Sequence, residues 1–418
     1  MTRLTICLMA LAAFFLPLSA QMNISPSPSP LVFTSSPGQF DSRVLTLANT
    51  GATARSYSLL TQPPALLANM VSYYPFDNSR LDLLTDWTGA VSGTYFGNDR
   101  LNQEQHAIGF DGVNDYYEVW ENGLTNNFSV SFRAKPLRNQ PMAAEGYYNV
   151  ARTADYLLWP DWYDSYSAEG FGIALGRNGL MVITHAAGYM PVLLSYSADL
   201  SGWNHYTIVF SAGTPKLYLN GNLVHTGVIS PRPTTYMSSL FGGAGYGFYK
   251  GFLDDLCIYG AALTESQILS SSQFTDMERF RIEPRTDVLE GAETSAIQVR
   301  MIDSTLPIGT HSDVITLCQM GTPAFSTPVP VVMNVGNNTV PLATAEITVT
   351  VDESGNALLE WLPVAQTNLY KVYCGSDPTY PEYFTYLGST TQTTYIYTNP
   401  DQPIDLTQKF FTVVAYLD

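Results

Sequence analysis

Apolar and polar residues alternate with a period of two over short stretches along most of this chain, which is the spacing of β-strands with one buried face. Clear runs fall at 44–48, 56–60, 116–120, 128–134, 171–175, 180–184, 206–210, 216–219 and 256–259, and again at 280–283, 296–301, 314–319 and 329–335. In KLYLNGNLV (216–224) two such runs are joined by Asn220-Gly221, a dipeptide that favours the positive φ of a tight hairpin. Only ALTESQIL, around 263–270, reads as helical, with Thr264 as its N-cap and Glu265 in the first turn. Strands not interleaved with helices exclude an α/β fold and predict an all-β chain of several sandwiches.

The 418 residues predict two to four domains at roughly 100–200 residues each. Residues 1–20 carry Arg3, an apolar run over 4–18 and then Ser19-Ala20, the layout of a cleaved secretory signal. Pro17 and Gln21 cut that run short of a membrane span, and no later stretch is long and apolar enough for one. The expectation is a secreted or surface-held protein with no transmembrane segment after signal removal. Strands within 22–69 are too few to bury a core, so partners are expected from 274–338, giving one sandwich split by an insert over 70–273. The stretches "SPSPLVFTSSPGQFDSRVLTLANTGATARSYSL", "LPIGTHSDVITLCQ" and "PVPVVMNV" resemble immunoglobulin-like repeats of bacterial exported proteins. Two unrelated partial segments are the alternative.

The insert carries "VSYYPFDNS" (71–79), "IGFDGVNDYYEV" (108–119), "FSVSFRAKP" (128–136), "WNHYTIVFSAGTPKLYLNGNLV" (203–224) and "GFLDDLCIYGAALTESQI" (251–268) in that order. These five motifs resemble the laminin-G-like, concanavalin-A-like jelly rolls of bacterial secreted proteins. The resemblance implies two curved antiparallel sheets with a concave face and loops at its rim. Residues 341–418, with "ALLEWLPV" and "LYKVYCGSD", look like a fibronectin type III module. Trp361 and Tyr370 are expected in its core, and the final strand at 410–415 is expected to leave an edge that is exposed or covered by a neighbour.

Composition narrows the chemistry. With 19 basic against 36 acidic residues, a net charge of −17, nucleic acid is excluded as a partner because no basic patch is available. Cys7 leaves with the signal, and Cys257, Cys318 and Cys374 fall in different β segments, which argues against a disulfide framework and for small buried side chains, with pairing between molecules left open. Nucleophile-elbow GxSxG, HExxH and GxxxxGK[ST] motifs are absent. So is the Glu-x-Asp-x-x-Glu strand of related glucanases; Glu118 and Glu121, three apart, fall on opposite faces of a strand. His205 reads as packed within "WNH". The chain is therefore expected to have no catalytic residues and not to be an enzyme.

Laminin-G-like jelly rolls often hold calcium at the sandwich rim, and the resemblance places Asp77 and Asp255 as its ligands, with Asn78 and Asp254 as second choices. The alternative is that these acids cap turns or accept from backbone amides, and Arg80 close behind "YPFD" departs from the family's acidic loop. An aromatic-dense stretch holds Tyr147, Tyr148, Tyr156, Trp159, Trp162, Tyr163 and Tyr166, interleaved with Asp155, Asp161 and Asp164. Flat rings stack on sugar C–H faces and acids take hydroxyls, so Tyr147, Tyr148, Trp159, Trp162 and Tyr163 are the candidate ligand-binding residues. A loop whose aromatics fold back on the sandwich remains open as the alternative. The expected function is adhesion or binding to an extracellular glycan or a surface protein. A structural scaffold is the second reading, and a divergent glycoside hydrolase or its accessory module the third. An open groove with exposed aromatics favours binding, a filled one favours scaffold.

Overall fold

The computed structural model describes residues 23–35, 40–61, 64–67, 69–120, 123–148, 154–163, 166–274, 279–302, 306–321, 326–336, 341–344, 346–352, 356–364, 369–375, 384–398 and 409–416. The expected signal at 1–20, Glu121 and Asp164 lie outside these residues. The described residues are nearly all strand, arranged in sandwiches.

Two sheets are shared between distant parts of the chain. Asp41–Asn49 pairs with Thr294–Met301 along its whole length, from Asp41 opposite Met301 to Ala48 opposite Thr294. On the facing sheet Arg55–Leu60 lies between Thr286–Leu289 and Gly309–Gln319, and Leu31–Ser35 runs parallel to Ser326–Val335. Each strand sends alternate residues inward, so Phe33, Leu45, Leu47, Tyr57 and Leu59 meet Ile297, Val299, Ile315, Leu317, Val331 and Met333 in one core.

Between those halves stands a jelly roll. Its first sheet runs Asn222–Thr226, Thr214–Leu219, Asn204–Ser211, Asn127–Pro136, Lys250–Tyr259, Ala107–Asp111, Tyr95–Gly97, with Met70–Tyr74 also on Lys250–Tyr259. The second runs Val192–Ser197, Gly179–His185, Ala168–Gly176, Tyr156–Leu158, Leu240–Phe241, Tyr116–Glu118, Val91–Ser92. Phe128, Val130 and Phe132 face Phe171, Ile173 and Leu175 across the interior. Phe128 sits at the centre, its ring 5.3 Å from Phe210 in a stack and 5.1 Å from Phe171 edge-on. The hairpin at Asn220-Gly221 has φ of +50° and +83°, as that dipeptide favours.

The first sheet's other face is small and polar where the helix Glu265–Gln273 covers it. Thr264 caps that helix through a capping box with Gln267. Beneath it Ser131 Oγ meets His205 Nε2 at 2.9 Å and Ser271 Oγ at 3.1 Å, and Ser129 Oγ accepts from Leu263 N–H at 3.0 Å. Further along this face Leu60, Met70, Tyr73, Cys257, Tyr259, Ile268 and Cys318 form a separate apolar cluster that joins the jelly roll to the shared sandwich. Among the described residues Cys257, Cys318 and Cys374 are free and buried.

The described residues after 341 form a sheet of four strands and one of three, closed on Leu359, Trp361, Tyr370, Val372 and Val413. Phe410–Tyr416 lies between Leu369–Gly375 and Pro341–Thr344. The strand expected to end the sheet is thus an interior one, because 341–344, which carries no clear alternation, pairs along its outer edge.

Phe128→Ala is expected to cost about 3–5 kcal/mol, the usual loss for a fully buried phenylalanine, read as a lower denaturant midpoint of the jelly-roll transition with little change in the other modules.

Candidate functional site

The second sheet's outer face is where the aromatic stretch lies, and the chain packs it closely. Gly170 and Gly172 expose bare backbone there, and a Cβ at either would fall 2.3 Å from Asp161 O or 2.5 Å from Pro160 Cδ. Pro160 and Asp161 therefore cross the sheet at a distance only glycine permits. Trp159 is 9% exposed, wedged against Tyr156 at 4.9 Å, His185 at 5.7 Å and Tyr246 at 5.6 Å. Ala174, Met181, Ile183, Met190 and Val192 complete this outer cluster. Trp159 and Tyr156 thus fold back as packing residues, which corrects the expectation of Trp159 as a ligand platform.

The other candidates stand on top of that layer. Tyr147 and Tyr148 are 53% and 62% exposed, with the backbone at 146–148 hydrogen-bonded along Met190 and Val192. Tyr148 lies 5.4 Å from Tyr189. Tyr163 stacks on Tyr236 at 4.7 Å and 11°, and its carbonyl accepts from Ala187 N–H at 2.9 Å. Trp162 is 57% exposed and Tyr166 84%. Four partners from elsewhere in the chain escaped the sequence reading: Tyr189, Tyr236, Tyr246 and Arg232, whose guanidinium lies over the rings of Tyr189 and Tyr166. Each is a single aromatic or basic residue outside the stretch, Tyr236 in the strand Thr234–Met237; only Arg232, between Pro231 and Pro233, offered a local signal.

The acids near this face are committed. Asp155 holds Arg138 through two bonds, at 2.5 and 2.8 Å, yet burial still pushes its carboxyl above the usual range. Glu145 pairs with His225 Nε2 at 2.6 Å and takes Ser195 N–H. Glu169 is fully buried; its Oε1 accepts from Ser230 and Thr235 while Oε2 has no hydrogen-bond partner. Burial raises its carboxyl, more than those hydrogen bonds and Arg232 lower it. His205, under the helix, is pushed down to about 3 by burial and then by Arg133 and Arg100, so it is neutral at physiological pH.

The predicted calcium ligands lie at the junction with the shared sandwich, away from the aromatics. Asp77 Oδ1 meets His106 Nδ1 at 2.6 Å and its Oδ2 meets Arg285 Nη1 at 3.0 Å. Asp255, at φ +49° in a β-bulge opposite Ser131 to Arg133, pairs with Arg133 at 3.4 Å and takes the Tyr73 hydroxyl at 3.3 Å. The bulge turns Asp254 inward, where burial, then Asp255, Asp77 and Asp99, hold its carboxyl well above the usual range. In charge this spot suits a hard cation. In geometry Asp77 and Asp255 face guanidinium groups, so calcium there would have to displace Arg285 and Arg133. Asn78 N–H donates to Gln105 O in a turn. Among the described residues no group of three or more His, Cys, Asp or Glu side chains is arranged to hold a metal ion, and no helix is long and apolar enough to cross a membrane.

Residues 111–269 match the family model described as the concanavalin A-like lectin/glucanases superfamily. That match spans most of the jelly roll and both of the layers just described. No curated protein matches the chain. Among solved structures, domain 4 of AbnA, an extracellular GH43 arabinanase from Geobacillus stearothermophilus solved with arabinotriose, is 20% identical and covers 49% of this chain and 99% of its own, at a TM-score of 0.28. A structure of botulinum neurotoxin type C, whose cell entry is described as dependent upon interaction with two ganglioside molecules, is 12% identical over 84% of this chain and 94% of its own, at 0.35. Carbohydrate-binding module CBM66 from Bacillus subtilis is 12% identical over 42% and 98%, at 0.27.

Glu169→Gln gives a pH test of the packed face. A carboxyl raised in the folded state binds its proton more tightly there than in the unfolded chain. Its contribution to stability is full below the ordinary value of about 4.3 and is lost as pH rises through the folded value. The glutamine variant is expected to melt higher than the parent at pH 8, the gap closing as pH approaches 4; thermal unfolding across that range reads it.

Proposed function

We propose that this is an exported, non-catalytic binding protein whose concanavalin-A-like domain holds extracellular glycans on the rings of Tyr147, Tyr148, Trp162, Tyr163 and Tyr166. The observation that carries this reading is the layering of the second sheet. An apolar bed anchored by Trp159 fixes the backbone from beneath, and above it the rings of Tyr147, Tyr148, Trp162 and Tyr166 remain exposed, with Tyr163 partly covered by Tyr236. A flat ring held on a rigid bed contributes contact area at little entropic cost. Non-catalysis is supported by the state of the acids: Asp155 is paired with Arg138, Glu145 is hydrogen-bonded to His225 and Glu169 is buried under two hydroxyls. The shared sandwich and the module after 341 then serve as spacers or docking units.

One observation favours the scaffold reading. The outer face is paved by the chain's own backbone over Gly170 and Gly172, so it has no deep groove there. Under that reading the exposed rings meet other parts of an assembly instead of sugars.

The deciding experiment is a glycan array probed with the whole exported chain, once with calcium and once with a chelator. Binding to a defined glycan class is expected, and Trp162→Ala or Tyr148→Ala should weaken it about tenfold or more, the usual effect of truncating an aromatic anchor. Absence of binding by the folded protein in both conditions would move the function to scaffold. Calcium enters only as a structural ion beside Asp77, Asp254 and Asp255. If it binds there, it should raise the melting temperature of the parent and not of Asp254→Asn; equal melting with calcium and chelator removes it.

A further inference from the structure

Resting on that glycan reading, we propose that the sugars held on this surface carry a carboxylate, and that Arg232 receives it. The residue lies where the aromatic surface meets a shallow cavity of about 380 Å³ lined by Asn126, Gly213, Ile229, Pro231 and Pro233. Its guanidinium carbon is 5.0 Å from the Tyr189 ring centre and 5.4 Å from that of Tyr166, and Tyr189 in turn neighbours Tyr148. Arg232 Nη1 donates to Tyr166 O, while its Nε is buried with no hydrogen-bond partner.

The position of Arg232 over two rings at the edge of a cavity is what points to a ligand, and five other arginines are committed to acids of the chain. Arg43, Arg133, Arg138, Arg279 and Arg285 each pair with an aspartate. Arg80, by contrast, is held by Thr94 and lies over the Phe96 ring, so an aspartate is one kind of arginine partner among several in this chain. Among the described residues no carboxylate lies within ion-pair distance of Arg232. Glu169 accepts from Ser230 and Thr235 and makes no ion pair with the guanidinium; burial raises its carboxyl more than those bonds and Arg232 lower it. The guanidinium carbon lies over two rings, and the flanking prolines restrict the backbone. A planar fork so held suits a carboxylate taken by two parallel hydrogen bonds, with the sugar ring reaching Tyr189 and Tyr148. The chain's net negative charge repels long polyanions, so the contact is to a single acidic sugar in a short or terminal position.

The test uses the whole exported chain and matched pairs of probes: trigalacturonic acid against its methyl ester, and sialyllactose against lactose. The pairs separate a uronic acid from a sialic acid as the source of the carboxylate. In calorimetric titration the acidic member of one pair is expected to bind about tenfold or more tightly than its neutral partner at low salt, and the gap should narrow with added salt. Arg232→Gln should bring the acid to the level of its neutral partner, with Arg232→Lys in between. Should Arg232→Gln fail to fold, Tyr166→Ala removes one flanking ring while keeping the carbonyl bond, and should shrink the same preference. Equal binding of acid and neutral members, or a preference that survives Arg232→Gln, overturns the carboxylate assignment and leaves the glycan reading standing. No binding to any probe or array sugar overturns both.

Discussion

An inserted domain must leave and re-enter its host at nearly the same place, and most of this structure follows from how that closure is held. The chain leaves the shared sandwich after Leu60, begins the jelly roll at Met70, and returns past Phe274 to Phe280. Tertiary contacts tie the two crossings together. Arg133, in the middle of the jelly roll's first sheet, donates to Ser272 O and Phe274 O. Arg285, in the shared sandwich, donates to Leu59 O, pairs with Asp77 and lies over Tyr73. The apolar cluster around Tyr73, Tyr259 and Cys318 seals the space between. Ends kept this close lower the entropic cost of the long excursion between them.

That closure also sorts the two faces of the jelly roll. The first sheet's outer surface is consumed by the helix and by the junction, which is why its residues are serines, His205 and a buried apolar patch. The second sheet's outer surface faces away from the junction and is left for other use. The chain covers it with a thin layer of its own, permitted by glycine at 170 and 172, and displays aromatic rings above. A single stretch of sequence thereby supplies both the bed and the display.

Charge is distributed with the same economy. Acids at the junction face arginines, and those near the aromatic surface face Arg138, His225 or hydroxyls. A protein this acidic gains little from exposed pairs but avoids leaving buried carboxylates without partners. Arg232 stands outside this pattern, and its position over Tyr166 and Tyr189 gives the surface a cationic point.

Much of the architecture is legible in the sequence because it depends on local period. Alternation over 128–134 or 206–210 puts one face inward whatever the partner strand; Asn220-Gly221 selects a tight turn by its φ preference, and Thr264 with Gln267 caps a helix by hydrogen bonds within four residues. Local period also marks the aromatic stretch as one place of interest. What it leaves undetermined is anything set by contacts between distant residues. Trp159 and Trp162 are three apart and chemically alike, yet one is wedged beneath Tyr246 and the other exposed, because only the crossing over Gly170 and Gly172 decides which ring points down. Asp77 and Asp255 read alike as free oxygen donors until Arg285 and Arg133, from strands far along the chain, are brought against them. Arg232 gained its meaning only when the fold set it over Tyr166 and Tyr189. The sequence by itself determined the all-β class and the inward faces of the clearest strands, since those follow from side-chain period. The tertiary structure decided which rings and charges remain available, since availability depends on what the rest of the chain has already covered or neutralised.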